Sequence, residues 1–249
     1  MATIIFTAGA KGGTGKSTAV RFLTTYLREH GHNPVLLDMD DENRTLSRFF
    51  PEAERIEIKK MSSHDVLIEK VTKGTNLMIA DLKAGTGRDT LDWWACVPFD
   101  DDALKKVNFI CLASITTSPD AVQTFLNWAS ELEDRVSYVV FRNQKDGENF
   151  FDYDDSGEAM EFQESYMPIE ITIPRLDDEY MTELERLNLT ISEVLEANGG
   201  TMTVPPANSK HKAKPIGETL CRLMVRARLR RFQNDIYRQF DPILELLSV

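Results

Sequence analysis

Two lysines, hydroxyl side chains and a cluster of glycines fall together near the start of the chain, in Lys11-Gly12-Gly13-Thr14-Gly15-Lys16-Ser17-Thr18. Glycines at this density let the backbone turn tightly and aim successive N–H groups at one point, where an anion can be held. A lysine and a hydroxyl residue directly after the last glycine supply a cation for β- and γ-phosphates and a ligand for Mg²⁺. The combination is specific only between a strand and a helix, and the flanks supply both. Residues 3–7 (TIIFT) are a β-branched run, and residues 17–30 carry a helical pattern that Gly31 stops. Gly12, Gly13, Thr14, Gly15, Lys16, Ser17 and Thr18 are therefore the expected phosphate-binding residues, with Ser17 also the expected metal ligand. Ala10 stands where the usual pattern has its first glycine, and Lys11 is an extra cation just inside the loop. The bland alternative is a glycine-rich turn that binds no nucleotide.

Candidate carboxylates sit at the ends of later strands. Residues 34–38 (PVLLD) form an apolar run ending in Asp38-Met39-Asp40, and residues 77–80 (LMIA) run into Asp81. Ligands of open α/β sheets gather at such carboxyl-terminal strand ends. Further strands are expected at 109–113 (FICLA), 136–141 (VSYVVF) and 169–173 (IEITI), with a helix through Val122, Phe125, Leu126, Ala129 and Leu132. Short apolar strands alternating with helices predict an α/β fold: a doubly wound, mainly parallel, twisted sheet with helices on both faces. The strand at 136–141 leads into Asn143, whose amide offers both a donor and an acceptor to a base. No N-K-x-D guanine motif is present, which favours ATP over GTP.

K-G-G-T-G-K-S-T resembles the deviant Walker A box of the ParA/MinD group of ATPases, and the likeness covers roughly residues 1 to 197. The resemblance implies ATP and Mg²⁺ as ligands and a homodimer that sandwiches the nucleotide. Lys11 is then implied to reach the phosphates bound by the other subunit. By the same resemblance Asp40 positions the attacking water, Asp38 lies near the Mg²⁺ shell, and Asp81 holds Mg²⁺ through water. Asn143 reads the adenine edge, and Pro174 and Arg175 flank the base. Two departures stand out. Asp41-Glu42 replaces the family's proline-glutamine, and Leu82-Lys83-Ala84-Gly85-Thr86-Gly87 replaces its proline-rich switch loop. Lys83 is open to two readings, a phosphate contact or an exposed charge. The nitrogenase iron protein shares the loop, but the context of Cys96 does not match its cluster-binding spacing.

The chain has 249 residues with 42% hydrophobic and 28% charged, an ordinary balance for one globular α/β protein without metal or disulfide staples. Cys96, Cys111 and Cys221 are odd in number and lack ligand spacing, so they read as reduced cytosolic thiols. No run is long enough to span a membrane, and the N-terminus reads as a strand rather than a signal peptide. The net charge of −11 is not that of a nucleic-acid-binding chain taken whole. It is uneven, however: residues 201–249 carry nine basic and four acidic residues. The expected organisation is an ATPase domain at 1–197 with an acidic insertion at about 145–168, a linker at 198–215, and a basic amphipathic helical segment at 216–249. The insertion reads as a solvated loop or a partner surface, and Trp93 and Trp94 as packing residues or a partner patch.

Arg222, Arg226 and Arg230 recur at helical spacing and form one stripe, widened by Arg228 and Arg231. Three readings stay open for it: a docking helix with a solvated face, contacts to DNA backbone, or a membrane-surface helix. With the resemblance, these features imply a cytoplasmic, nucleoid-associated bacterial switch that binds nonspecific DNA with ATP and responds to a hydrolysis-stimulating protein. The alternative is a nucleotide-gated interaction module for protein or membrane partners in a plasmid stability, conjugation or envelope assembly system. An ATP-dependent small-molecule ligase is a weaker third.

Overall fold

The computed structural model describes residues 1–9, 11–85, 87–197, 203–204 and 214–247. Seven strands form one sheet: β1 (Ala2–Ala8), β2 (Val35–Met39), β3 (Glu54–Arg55), β4 (Leu77–Leu82), β5 (Val107–Ile115), β6 (Ser137–Asn143) and β7 (Ile169–Ile173). Their order is β3-β2-β4-β1-β5-β6-β7, and every neighbouring pair is parallel. The sheet is thus wholly parallel where the sequence predicts mainly parallel. β4 lies between β1 and β2, so the first strand–helix–strand unit joins strands that are not neighbours.

The strands read as continuous apolar runs because both faces of the sheet are covered. Alternate residues feed two cores. Ile5, Leu36, Ile79, Leu112 and Phe141 face one, with helix α1 (Lys16–Glu29) and helix α2 (Thr45–Phe49) packed upon it. Ile4, Phe6, Leu37, Met78 and Cys111 face the other, covered by the helices Asp65–Thr72, Gly87–Trp94, Pro119–Leu132 and Gly157–Tyr166. Trp93 and Trp94 are both buried in this second core, so they are packing residues.

The acidic segment carries its charges on the surface, with Asp152, Asp154, Glu158 and Glu161 exposed. It folds as the crossover from β6 to β7, with helices Phe151–Asp154 and Gly157–Tyr166 burying Phe150, Tyr153, Ala159 and Phe162. Most of the 198–215 linker lies outside the described residues. Its described part is a short antiparallel pair, Thr203–Val204 with Lys214–Pro215.

The C-terminal segment forms helices Glu218–Cys221, Leu223–Tyr237 and Asp241–Leu247, the last restarting around Pro242. These are no detached tail. Ile216, Leu220, Leu229, Ile236, Phe240 and Ile243 are buried in the same core as α1. Tyr26 of α1 donates to Asp241 (2.7 Å), and the Gln239 amide pairs with both backbone groups of Thr172 on the open edge of β7 (2.8 and 3.1 Å). Such a side-chain cover blunts an edge strand.

Candidate functional site

Parallel strands all end on the same side, and that edge collects the chemistry. The loop after β1, the ends of β2, β4 and β6, and the segment after β7 enclose a cavity of about 520 Å³. One end is polar, lined by Gly12, Gly13, Gly15, Lys16, Ser17 and Asp40. Thr18 is also part of its wall, while the Thr14 side chain is buried.

The loop is clamped from behind. The Thr14 carbonyl accepts from Ser114 Oγ at the end of β5 and from Asn143 Nδ2 at the end of β6, both at 2.9 Å. Gly15 has φ +102°, and a Cβ there would lie 2.3 Å from Asn143 Nδ2. Glycine is therefore required at this position both for its backbone and for its lack of a side chain. Lys16 starts α1 and its Nζ donates to the Lys11 carbonyl (2.8 Å), which curls the loop around the ammonium. Burial lowers the Lys16 pKa, while Asp81 and Asp40 oppose that fall.

Asp81 is fully buried, and burial pushes its carboxyl up to about 6, with Ser17 and Lys16 pulling the other way. One of its oxygens receives Thr7 Oγ1 at 3.4 Å, and the other, Oδ2, has no hydrogen-bond partner. A carboxylate oxygen left bare beside a hydroxyl and an ammonium is a place for a hydrated cation.

The two aspartates after β2 part company. Asp38 Oδ2 accepts the Ser47 amide (2.7 Å) and Oδ1 accepts the Asp40 amide (3.3 Å), so Asp38 anchors the start of α2. Asp40 lines the cavity instead. Its Oδ1 accepts the amides of Glu42 and Asn43, both at 3.1 Å, and its Oδ2 accepts Asn43 Nδ2 at 3.0 Å. Lys83 neither reaches the cavity wall nor stands alone: it pairs with Asp41 (2.8 Å) and Glu42 (2.9 Å). Lys11 turns away from the cavity, donating to Ser118 Oγ (2.7 Å) and meeting Asp120 (3.2 Å).

The apolar part of the wall is Ile173, Pro174, Leu176, Met181, Phe22 and Phe232. Asn143, Arg175 and Asp178 border it. Asn143 holds the loop through Nδ2 and accepts the Lys145 amide at Oδ1 (3.2 Å), so its amide has a structural task as well as the expected place in the cavity. Arg175 pairs with Asp178 at 3.0 Å.

A glycine loop that presents amides, lysine and hydroxyl at the carboxyl edge of a parallel sheet, with an apolar pocket beyond, is a nucleotide site by geometry. Residues 5–202 match the CobQ/CobB/MinD/ParA nucleotide binding domain. The chain belongs to this family. No curated protein matches the sequence. Among solved structures, the MinD cell division protein of Aquifex aeolicus aligns at TM-score 0.52 and 14% identity, covering 78% of this chain and 90% of that one. A chain of the MinC:MinD cell division protein complex of Aquifex aeolicus gives TM-score 0.52 and 15% identity, covering 78% and 89%. A ParA family ATPase of Chlorobium tepidum TLS gives TM-score 0.48 and 15% identity, covering 74% and 88%. At these identities the likeness is one of fold.

The arginine stripe holds only in part. Arg226 does not face solvent freely: it donates to the carbonyls of Ala197 (2.7 Å) and Leu195 (2.8 Å), closing the end of helix Ile191–Glu196. Two of its guanidinium nitrogens are thus engaged within the fold, satisfying helix-end carbonyls. Arg228 donates to the Tyr180 hydroxyl (2.7 Å). Arg222 caps the start of helix Leu223–Tyr237 and is exposed, as are Arg230 and Arg231. Cys111 is buried, and Cys96 and Cys221 are exposed free thiols. Among the described residues, no helix is long and apolar enough to cross a membrane.

Ser114, the Lys83 pairing and Phe232 are the parts of the site that sequence reasoning misses. Ser114 carries no local signal, and Lys83 stands out in the sequence without its partners Asp41 and Glu42. Phe232 carries a local signal, since it stands three residues after Leu229 and four before Ile236, on the inward face of its helix.

Proposed function

We propose that the protein is a Mg²⁺-dependent ATPase acting as a positioning or partition switch. ATP joins two copies into a nucleotide-sandwich dimer, the dimer binds DNA through its backbone, and a partner protein stimulates hydrolysis and release. Its place of work is the cytoplasm, at the nucleoid. The observation that carries the reading is the clamped glycine loop facing a buried carboxylate with one bare oxygen, Asp81 Oδ2.

Those residues fit the ligands. Ser17 and Asp81 would hold Mg²⁺, and Asp38 would support them electrostatically from the neighbouring strand, where it pairs in register with Asp81. Bound Mg²⁺ neutralises charge on the β- and γ-phosphates. The amides of Gly12 to Thr18 would hold the phosphate oxygens, and Lys16, which donates to the Lys11 carbonyl, would be the cation for the γ-phosphate. Asp40, fixed by three donors, would be an oriented acceptor for the attacking water. Lys11, at the rim and outside the cavity wall, is the group that reaches a second copy.

Equilibrium binding of a random-sequence duplex with ATP, with ADP and without nucleotide, each across a salt series, tests the whole reading. Affinity confined to ATP, falling steeply with salt, is the expected result. Lys16→Ala is expected to lose ATP turnover; normal turnover would remove the loop from the mechanism. If no nucleotide state binds DNA, the second reading takes over, a nucleotide-gated module for a protein partner. The engagement of Arg226 and Arg228 within the fold favours that second reading.

A further inference from the structure

The basic C-terminal helix and the nucleotide cavity meet at one side chain. Phe232 lies in helix Leu223–Tyr237, is only 8% exposed, and forms part of the apolar wall of the cavity. Its ring tilts against Phe22 of α1 at a centroid distance of 5.8 Å. Met181 of helix Asp178–Leu187 contributes to the same wall. The two helices are tied by the Arg228–Tyr180 hydrogen bond at 2.7 Å, and the first is fixed again where Arg226 meets the carbonyls of Leu195 and Ala197. This wall is therefore held in place by polar bonds from the two turns of helix that precede Phe232.

A nucleobase has flat apolar faces and a polar edge. The cavity lining combines the matching groups, Gly12, Gly13 and Lys16 together with the aromatic, aliphatic and thioether side chains of Phe22, Phe232, Ile173 and Met181. We propose that Phe232 is a base-contacting residue of the nucleotide site, packing against the purine face of the bound nucleotide. The C-terminal segment is then a part of the nucleotide site itself. Arg230 and Arg231, exposed and adjacent in sequence to Phe232, ride on the helix that senses the base. This inference rests on the nucleotide-site reading and adds to it the residue that separates a nucleotide from a bare polyphosphate.

The test is calorimetric titration of the full chain, with Mg²⁺, by ATP, ADP and inorganic tripolyphosphate, for wild type, Phe232→Ala and Phe232→Leu. Aromatic–base contacts predict that Phe232→Ala weakens ATP and ADP about tenfold. Tripolyphosphate affinity is expected to stay within about twofold, since it has no base to lose. Phe232→Leu keeps the apolar volume of the core and the fold, removes only the aromatic face, and is expected to show a smaller loss in the same nucleotide-only pattern. Unchanged ATP affinity in both variants, or equal weakening for ATP and tripolyphosphate, overturns the base contact. Failure of the wild type to bind either ATP or tripolyphosphate would instead overturn the nucleotide site as a whole.

Discussion

Lys83 Nζ lies 2.8 Å from Asp41 Oδ1, and this contact ties the loop after β4 to the loop after β2. Both loops line the cavity, through Leu82 and Ala84 on one side and Asp40 and Asn43 on the other. The two places where the sequence departs from the family pattern are thus partners of each other. The Lys83 ammonium holds the Asp41 carboxyl below its usual range. A depressed acid contributes its stabilisation above the unfolded pKa and loses it as pH falls through the folded one. Lys83→Met is therefore expected to speed amide hydrogen exchange across residues 40–44 at neutral pH and to have no effect once the carboxylates are protonated. Because the contact is solvent-facing, molar salt should shrink the difference. Identical exchange in the two proteins at pH 7 would mean that Asp40 alone holds its loop.

Lys11 is held within its own chain by Ser118 and Asp120, with Lys11 36% and Asp120 85% exposed. An ion pair so open to water is a weak restraint. Asp120→Ala is expected to free Lys11 and to raise ATP-dependent self-association a few-fold, measured by sedimentation velocity. Lys11→Ala is expected to abolish that association while leaving the monomer folded. A monomeric Asp120→Ala protein with ATP, or a dimeric Lys11→Ala protein, would place the intersubunit contact elsewhere.

How much of this was legible in the sequence depends on how local the physics is. The phosphate loop is a contiguous device whose glycines, lysine and hydroxyl act within one turn, so its residues stand out without a structure. β1, β4 and β6 are equally plain, because strands covered on both faces must be apolar throughout. β3 is not, since Glu54–Arg55 is two charged residues that become a strand only by pairing with Leu37 and Asp38. The β6–β7 crossover hides for another reason: helix Gly157–Tyr166 buries only Ala159 and Phe162, and its other residues include Glu158, Glu161 and Glu164. Asn143 and Ser114 share the Thr14 carbonyl across 129 and 100 residues of chain, a relation no local pattern contains. Arg226 shows the same limit in reverse. Helical spacing groups it with Arg222 and Arg230, but only the fold brings the carbonyls of Leu195 and Ala197 to it.

Arg226 and Arg230 are accordingly expected to fail differently. Arg226→Ala strands two carbonyls at a helix end, and the loss of charged hydrogen bonds of this kind costs about 1–3 kcal/mol. Urea denaturation should report that loss. Arg230→Glu and Arg231→Glu sit on the exposed face and are expected to leave the denaturation midpoint in place while lowering DNA affinity and flattening its salt dependence. A stable Arg226→Ala protein with weakened DNA binding would restore the whole stripe as the contact surface.

Asp81 gives the protein a pH signature in the absence of nucleotide and divalent cation. Its folded pKa of about 6 exceeds the ordinary value of 3.8, so the folded state holds its proton more tightly. Stability is then greatest below the ordinary carboxylate pKa and falls as pH rises from there through the folded value. The full cost above that window is roughly 3 kcal/mol, from the size of the shift. Asp81→Asn keeps the shape and an acceptor for the Thr7 hydroxyl but has no charge to bury. It is expected to be more stable than wild type at pH 8, by an amount approaching that figure, and to converge with it near pH 4. Urea titrations across this range measure the difference directly. Asp81→Asn should at the same time lose the Mg²⁺ dependence of ATP binding, because the stability gained at pH 8 comes from removing the buried charge that serves the ion. A variant that is no more stable at pH 8 than at pH 4, relative to wild type, would show that Lys16 and Ser17 already compensate the buried carboxylate without the metal.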